Sequence, residues 1–186
     1  MEPMAVASLA VLVGSSESVR PIAKLDELGA LIDLARLSRA PAKFDEAELD
    51  GLNAKTLHAM AYETAAPRLR TLGIDRGEAF WLAVRGNLER FADAVNWAKV
   101  IEGPIAQNGE RDRAFLAEAL SVLPASPWDT ETWGAWTTVV KEKTGRKGKD
   151  LFMPLRLALT GLEHGPELKL MLPLIGETET RRRLSA

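Results

Sequence analysis

Thr144-Gly-Arg-Lys-Gly-Lys-Asp-Leu-Phe-Met-Pro-Leu-Arg-Leu-Ala-Leu-Thr-Gly161 is the most informative stretch of this chain. It holds four cations, three glycines and one proline within eighteen residues. Its first half reads as a cationic loop, because glycines let a backbone approach a phosphate closely. Its second half reads as a helix begun by Pro154 and closed by Gly161, the usual placement of those two residues. Leu155, Ala158 and Leu159 make the apolar face, and Arg156 and Thr160, four apart, share its edge. A cationic loop beside a lone arginine suits a polyanion, and the arginine can read a base edge. A solvated lysine run at a helix end and a structural salt bridge for Arg156 are the competing readings.

Working outward, the pattern is helical nearly throughout. Residues 3–13 are apolar and stop at Gly14. The spacing of Leu25, Leu28, Leu31, Ile32 and Ala35 predicts a helix over about 25–37, and Pro41 ends that region. Asp45-x-x-Glu48 is a capping start, since a carboxylate accepts first-turn amides; Phe44 precedes it, where it could staple onto Leu49. A helix pair is expected from there to about Met60. Residues 62–72 are weaker, with Pro67 inside. Gly77 to Ile101 is a long amphipathic stretch that Gly86-Asn87 can split and Gly103-Pro104 breaks. A helix from Phe115 to Leu123 ends at Pro124. Asp129 can cap the next, about 130–143, which Gly145 terminates. Pro166 starts another, and Gly176 precedes a short basic tail. No period-2 run bounded by turn pairs occurs, so the fold class is all-α, a helical bundle.

The 186 residues carry a formal charge of −2, which argues against a generally basic binder. Any nucleic-acid surface is therefore local. Residues 141–156 supply one, with six cations against two acids. Cysteine is absent and the two histidines, His58 and His164, are far apart. No disulfide framework, thiolate chemistry or zinc-type cluster follows. No phosphate-loop or dinucleotide signature occurs. His58 reads as a satisfied residue on a helix and His164 as part of a turn. No apolar stretch reaches the roughly 18 residues a membrane span needs. The apolar start carries Glu2 and lacks a positive leading region, so it reads as a buried helix, with cytoplasm the expected compartment.

Trp81, Phe91 and Trp97 fall on apolar helix faces and read as core. Trp128, Trp133 and Trp136 surround the capped helix before the cationic loop. Core packing is the first reading for them, and a stacking platform for an unpaired base the other. Phe152 reads as an anchor holding the loop to the core.

The long run above, then Glu163-His-Gly-Pro-Glu-Leu168 and Leu172-Pro-Leu-Ile-Gly176, closely resembles the C-terminal region of bacterial glutamyl-tRNA synthetase. Ser38-Arg-Ala-Pro-Ala-Lys-Phe-Asp-Glu-Ala-Glu-Leu-Asp-Gly-Leu-Asn-Ala-Lys55 resembles that family's segment just after its catalytic core. The resemblance implies a stem-contact region and an all-α anticodon-binding region without the catalytic domain. A boundary near Gly103-Pro104, where the cationic half begins, then makes residues 1–103 the stem-contact region plus first helical subdomain and 104–186 the C-terminal helical subdomain. Arg36-Leu-Ser-Arg39 mimics the family's ATP-binding loop but reads as a decoy, since its neighbours match the later segment. The resemblance implies that Arg156 meets an anticodon base and that Leu168 is a nearby packing residue. Thr160 belongs with them; Arg146, Lys147 and Lys149 would hold phosphates, and Lys55 is a further candidate near the stem-contact end. The implied partners are the anticodon arm of tRNA-Glu and the catalytic domain of the same polypeptide. A monomer is expected. No cofactor is expected on this chain, whereas the full-length enzyme would need ATP and Mg²⁺. A helical adaptor without catalysis is the alternative from another class, and an enzyme with an unrecognised site a third.

Overall fold

The computed structural model describes residues 1–15, 17–33, 44–105 and 112–186. Among these residues the regular structure is helical, with eleven α-helices, two short 3-10 turns and no strand. The chain forms two compact units. One comprises Met1–Gly73 with Arg85–Ala94, the other Ile74–Val84 with Val95–Ala186. Gly103-Pro104 thus lies inside the second unit rather than between the two.

In the first unit, α1 (Pro3–Leu12) starts on a proline, whose missing N–H costs nothing in a first turn. Its Ala5 and Leu9 pack on Leu52 of α3 (Glu46–Ala59). Leu12 meets Ile22 and Leu28, the latter on α2 (Leu25–Ala30). The expected helix over 25–37 is therefore shorter in its described part; residues 34–37, Pro41 and Arg36-Leu-Ser-Arg39 lie outside the described residues. Asp45 caps α3 by accepting the amides of Ala47 at 2.8 Å and Glu48 at 3.5 Å. One continuous helix follows, not a pair, because Leu52, Asn53 and Leu57 after Gly51 are all buried on one side.

Asn53, fully buried, accepts the amide of Glu2 at 2.6 Å and donates to the carbonyl of Glu89 at 2.6 Å. It thereby ties α1 and the 85–94 segment to α3. Arg68 of α4 (Tyr62–Thr71) clamps the Glu2 carboxylate with two bonds of 2.7 and 2.8 Å and lies 3.8 Å over the Phe91 ring. Planar two-point pairing and ring stacking are what arginine does better than lysine. His58 meets the Leu88 carbonyl at 3.2 Å, so it is the satisfied helix residue expected.

The second unit comprises α5 (Gly77–Val84), α6 (Ala94–Glu102, from Val95 on), α7 (Arg113–Ser121), α8 (Thr132–Thr144), α9 (Lys149–Thr160), α10 (Leu168–Ile175) and α11 (Glu177–Ser185). The long 77–101 stretch does split near Gly86-Asn87, there in a 3-10 turn. Its core joins Phe80, Trp81 and Ile101 to Phe115, Leu116, Trp136, Leu151, Leu155, Leu159, Met171 and Leu172. Helix α10 packs on α5 and α8, and α11 packs on α7, α9 and α10.

Two sequence expectations are corrected here. Helix α9 begins at Lys149, five residues before Pro154, because the Gly148 carbonyl accepts the amides of Leu151 and Phe152 and buried Leu151 draws that turn inward. Pro154 sits inside the helix and removes one early bond, to Asp150. The basic tail is a packed helix, and Arg183 within it is fully buried. Its guanidinium donates to the carbonyls of Leu159 and Ile101 and, at 2.6 Å, to Glu179. Burial of that charge is tolerated because acceptors surround it.

Candidate nucleic-acid interface

The candidate site is carried by the second unit. Helix α8 ends at Gly145, whose φ of +71° is the left-handed value that lets its amide reach back to Lys141 at 2.9 Å. Three residues on, Gly148 has φ +52° and ψ −130°, a backbone shape that glycine adopts readily. The two residues between them, Arg146 and Lys147, form the turn, with Lys149 opening α9. The expected loop is therefore shorter than the sequence suggested, and one of its three cations, Lys149, belongs to a helix end.

These cations differ in what already holds them. Lys143 pairs with Glu118 at 2.7 Å and donates to Ser121 at 2.7 Å. Arg146 pairs with Asp112 and lies 4.3 Å over the Phe115 ring, which pins the loop onto the start of α7. The Phe115 amide, first, and Arg146, second, hold the Asp112 carboxyl below its ordinary range, so it stays ionised. Lys141, Lys147 and Lys149 are exposed and have no side-chain partner among the described residues.

Arg156 is half-buried, and its guanidinium donates to the Pro166 carbonyl at 3.0 Å. Among the described residues it makes no ion pair, so the salt-bridge reading of this residue does not hold. Burial lowers its pKa from the ordinary value, though an arginine stays protonated throughout the range in which proteins fold. One edge of the planar fork is thus fixed to backbone while its other donors remain.

Thr160 is buried and its hydroxyl donates to the Arg156 carbonyl at 2.8 Å and accepts the Leu162 amide at 3.2 Å. Its position closes α9 and begins the turn that returns Pro166 to Arg156. Gly165 lies in that turn at φ +138°, and a Cβ there would fall 2.4 Å from Cη2 of Trp97. Leu168 is buried at the start of α10, where it holds the far end of the turn. Pro166 precedes that helix by two residues instead of opening it. The structure therefore brings Arg156, Thr160 and Leu168 together around one turn, with Arg146, Lys147 and Lys149 at the other end of α9. Lys55 is exposed on α3 of the first unit.

The tryptophans divide. Trp136 is core, with its indole N–H donated to the Ala119 carbonyl at 3.0 Å. Trp133 and Trp128 are half-buried. Phe152 is 44% exposed, so it does not anchor the loop; Leu151 does, at 2%. Sequence reasoning missed this exchange because both residues are apolar neighbours. It also missed Arg183, although Glu179 four residues earlier was the available signal. Among the described residues no group of His, Cys, Asp and Glu side chains is placed to hold a metal ion, and no helix is long and apolar enough to cross a membrane.

Known proteins match this arrangement. A family model described as an anticodon binding domain matches residues 67–186. "Glutamate--tRNA ligase 2" of Methylobacterium radiotolerans is 58% identical over 99% of this chain, and "Glutamate--tRNA ligase 1" of Parvibaculum lavamentivorans 54% over 98%. The chain spans about two fifths of the length of these relatives, 42% and 40%. A solved structure of a glutamate tRNA ligase from Elizabethkingia meningosepticum, in complex with its amino acid, superposes with a TM-score of 0.79 at 20% identity. It covers 98% of this chain and 40% of that one. The resemblance to the C-terminal region of glutamyl-tRNA synthetases is thereby borne out. With the helical architecture, the cationic turn and the match over residues 67–186 taken together, this chain belongs to the anticodon-binding domain family.

Proposed function

We propose that this chain recognises the anticodon arm of tRNA-Glu as the C-terminal part of a glutamate–tRNA ligase and performs no chemistry of its own. The observation that carries the reading is the state of Arg156. A half-buried guanidinium fixed by one backbone carbonyl, with no carboxylate to neutralise it, is a costly arrangement in a purely structural role. Oriented donors at that position suit the hydrogen-bonding edge of an unpaired base. Lys147 and Lys149 then meet phosphates, and Arg146 shapes the loop through Asp112 and offers its remaining donors to the same strand. Thr160 and Leu168 act through the turn that positions Arg156. Lys55 is a secondary contact of the first unit.

In the full-length enzyme a catalytic domain of the same polypeptide would attach glutamate at the expense of ATP, with Mg²⁺. Contacts far from the reacting atoms would position the acceptor end and raise selectivity. The proposed setting is the cytoplasm, and the proposed state a monomer. The test is to titrate this chain with tRNA-Glu, and with the same tRNA carrying altered anticodon bases, at several salt concentrations. The reading expects a preference for the native anticodon that survives moderate salt. It also expects Lys147→Ala to lower the salt slope by about one while sparing the preference. Equal binding of every anticodon would reduce the loop to a nonspecific patch, and no binding would favour a helical adaptor.

A further inference from the structure

Helix α9 presents three chemically different side chains in one line. At 100° per residue, Lys149, Phe152 and Arg156 fall within a sector of about 60°. The sector beside it carries Leu151, Leu155 and Leu159, all buried. A phenylalanine 44% exposed, one turn from a fixed arginine and one turn from an exposed lysine, is an unusual use of apolar surface.

The Phe152 ring is nonetheless held. Its centroid lies 6.3 Å from that of Trp133, tilted by 36°. Trp133 meets Trp136 edge to face at 5.6 Å and 73°, and Trp136 is locked in the core by its bond to Ala119. Three rings thus run from core to surface, and such contacts prefer these offset and edge-on geometries. The indole N–H of Trp133 has no protein partner among the described residues. A single backed ring flanked along its helix by Lys149 and Arg156 matches one flat, anionic-backbone unit better than the apolar face of a protein.

We infer that Phe152, backed by Trp133, is a stacking platform for an unpaired base of bound RNA, with Lys149 meeting the phosphate beside it. The inference rests on the RNA-binding reading above and adds a contact to it. Stacking of this kind tolerates any base, so the platform supplies affinity where Arg156 supplies choice.

The test uses the full chain and the anticodon stem-loop of tRNA-Glu carrying 2-aminopurine at each loop position in turn. The wild type quenches the probe at one position. Phe152→Leu, which keeps apolar packing on Trp133, weakens binding roughly tenfold and restores that fluorescence, and Phe152→Tyr keeps both. Thermal melting of each variant reports whether the fold is intact. Unchanged binding and quenching in Phe152→Leu, while Arg156→Ala still loses anticodon preference, would overturn the platform and leave the RNA-binding reading standing. Equal weakening by Phe152→Leu and Phe152→Tyr would make the ring structural and also overturn it. A wild type that binds no RNA would overturn both.

Discussion

Arg156 and Pro166 are joined by one hydrogen bond of 3.0 Å, from guanidinium to carbonyl, across a turn of ten residues. The bond makes the direction of the arginine depend on the path of the turn. That path is fixed at two points, the Thr160 hydroxyl at its start and Gly165 against Trp97 near its end.

Gly165→Ala tests the dependence. Its Cβ would meet Trp97 at 2.4 Å and its φ of +138° excludes an ordinary side chain, so the turn must move. We expect a change in tryptophan fluorescence and a loss of anticodon preference, with helical content by circular dichroism retained. Wild-type selectivity in a variant with a displaced turn would show that Arg156 is aimed independently of Pro166.

Arg183 carries a second expectation. Removing its guanidinium leaves the carbonyls of Leu159 and Ile101 short of a donor and Glu179 short of a partner. Arg183→Ala should cost about 3 kcal/mol in chemical denaturation. A loss well under 1 kcal/mol would mean that α11 is held by its apolar contacts alone.

Acid should loosen the same helix. Glu177 is held down to about 2, chiefly by the Ser126 hydroxyl, then its amide, then Arg181. Glu179 is held down to about 2, chiefly by Arg182, with Arg183 contributing. A depressed folded pKa means that stability is fully present above the ordinary value of 4.5 and is lost as pH falls through about 2. Melting temperature should therefore fall between pH 4.5 and 2, and Glu179→Gln should flatten that fall. A variant with the wild-type slope would remove Glu179 from the account.

The all-α class was readable because helix punctuation here is explicit. Asp45 and Asp129 accept first-turn amides, and Gly145 and Gly161 take left-handed values at helix ends, each as its sequence position suggests. Periodicity failed where tertiary partners decide. Pro154 looked like a helix start because local preference favours it there, yet buried Leu151 set the start earlier. The packing of the basic tail was not legible, because nothing nearby in sequence announces the carbonyls of Ile101 and Leu159 that receive Arg183. At the candidate site the residue types and their helix were legible. Which cations were already occupied was not, since Asp112 and Glu118 lie more than twenty residues from Arg146 and Lys143.

The proposed function stands on Arg156 reading a base. The most direct measurement is the affinity of Arg156→Ala, against that of the wild type, for tRNA-Glu and for the same tRNA with each anticodon base changed in turn. The account predicts a loss of about 1–3 kcal/mol on the native anticodon that shrinks when one particular base is altered. The same loss on every anticodon would contradict it, leaving Arg156 as one more positive charge beside the strand.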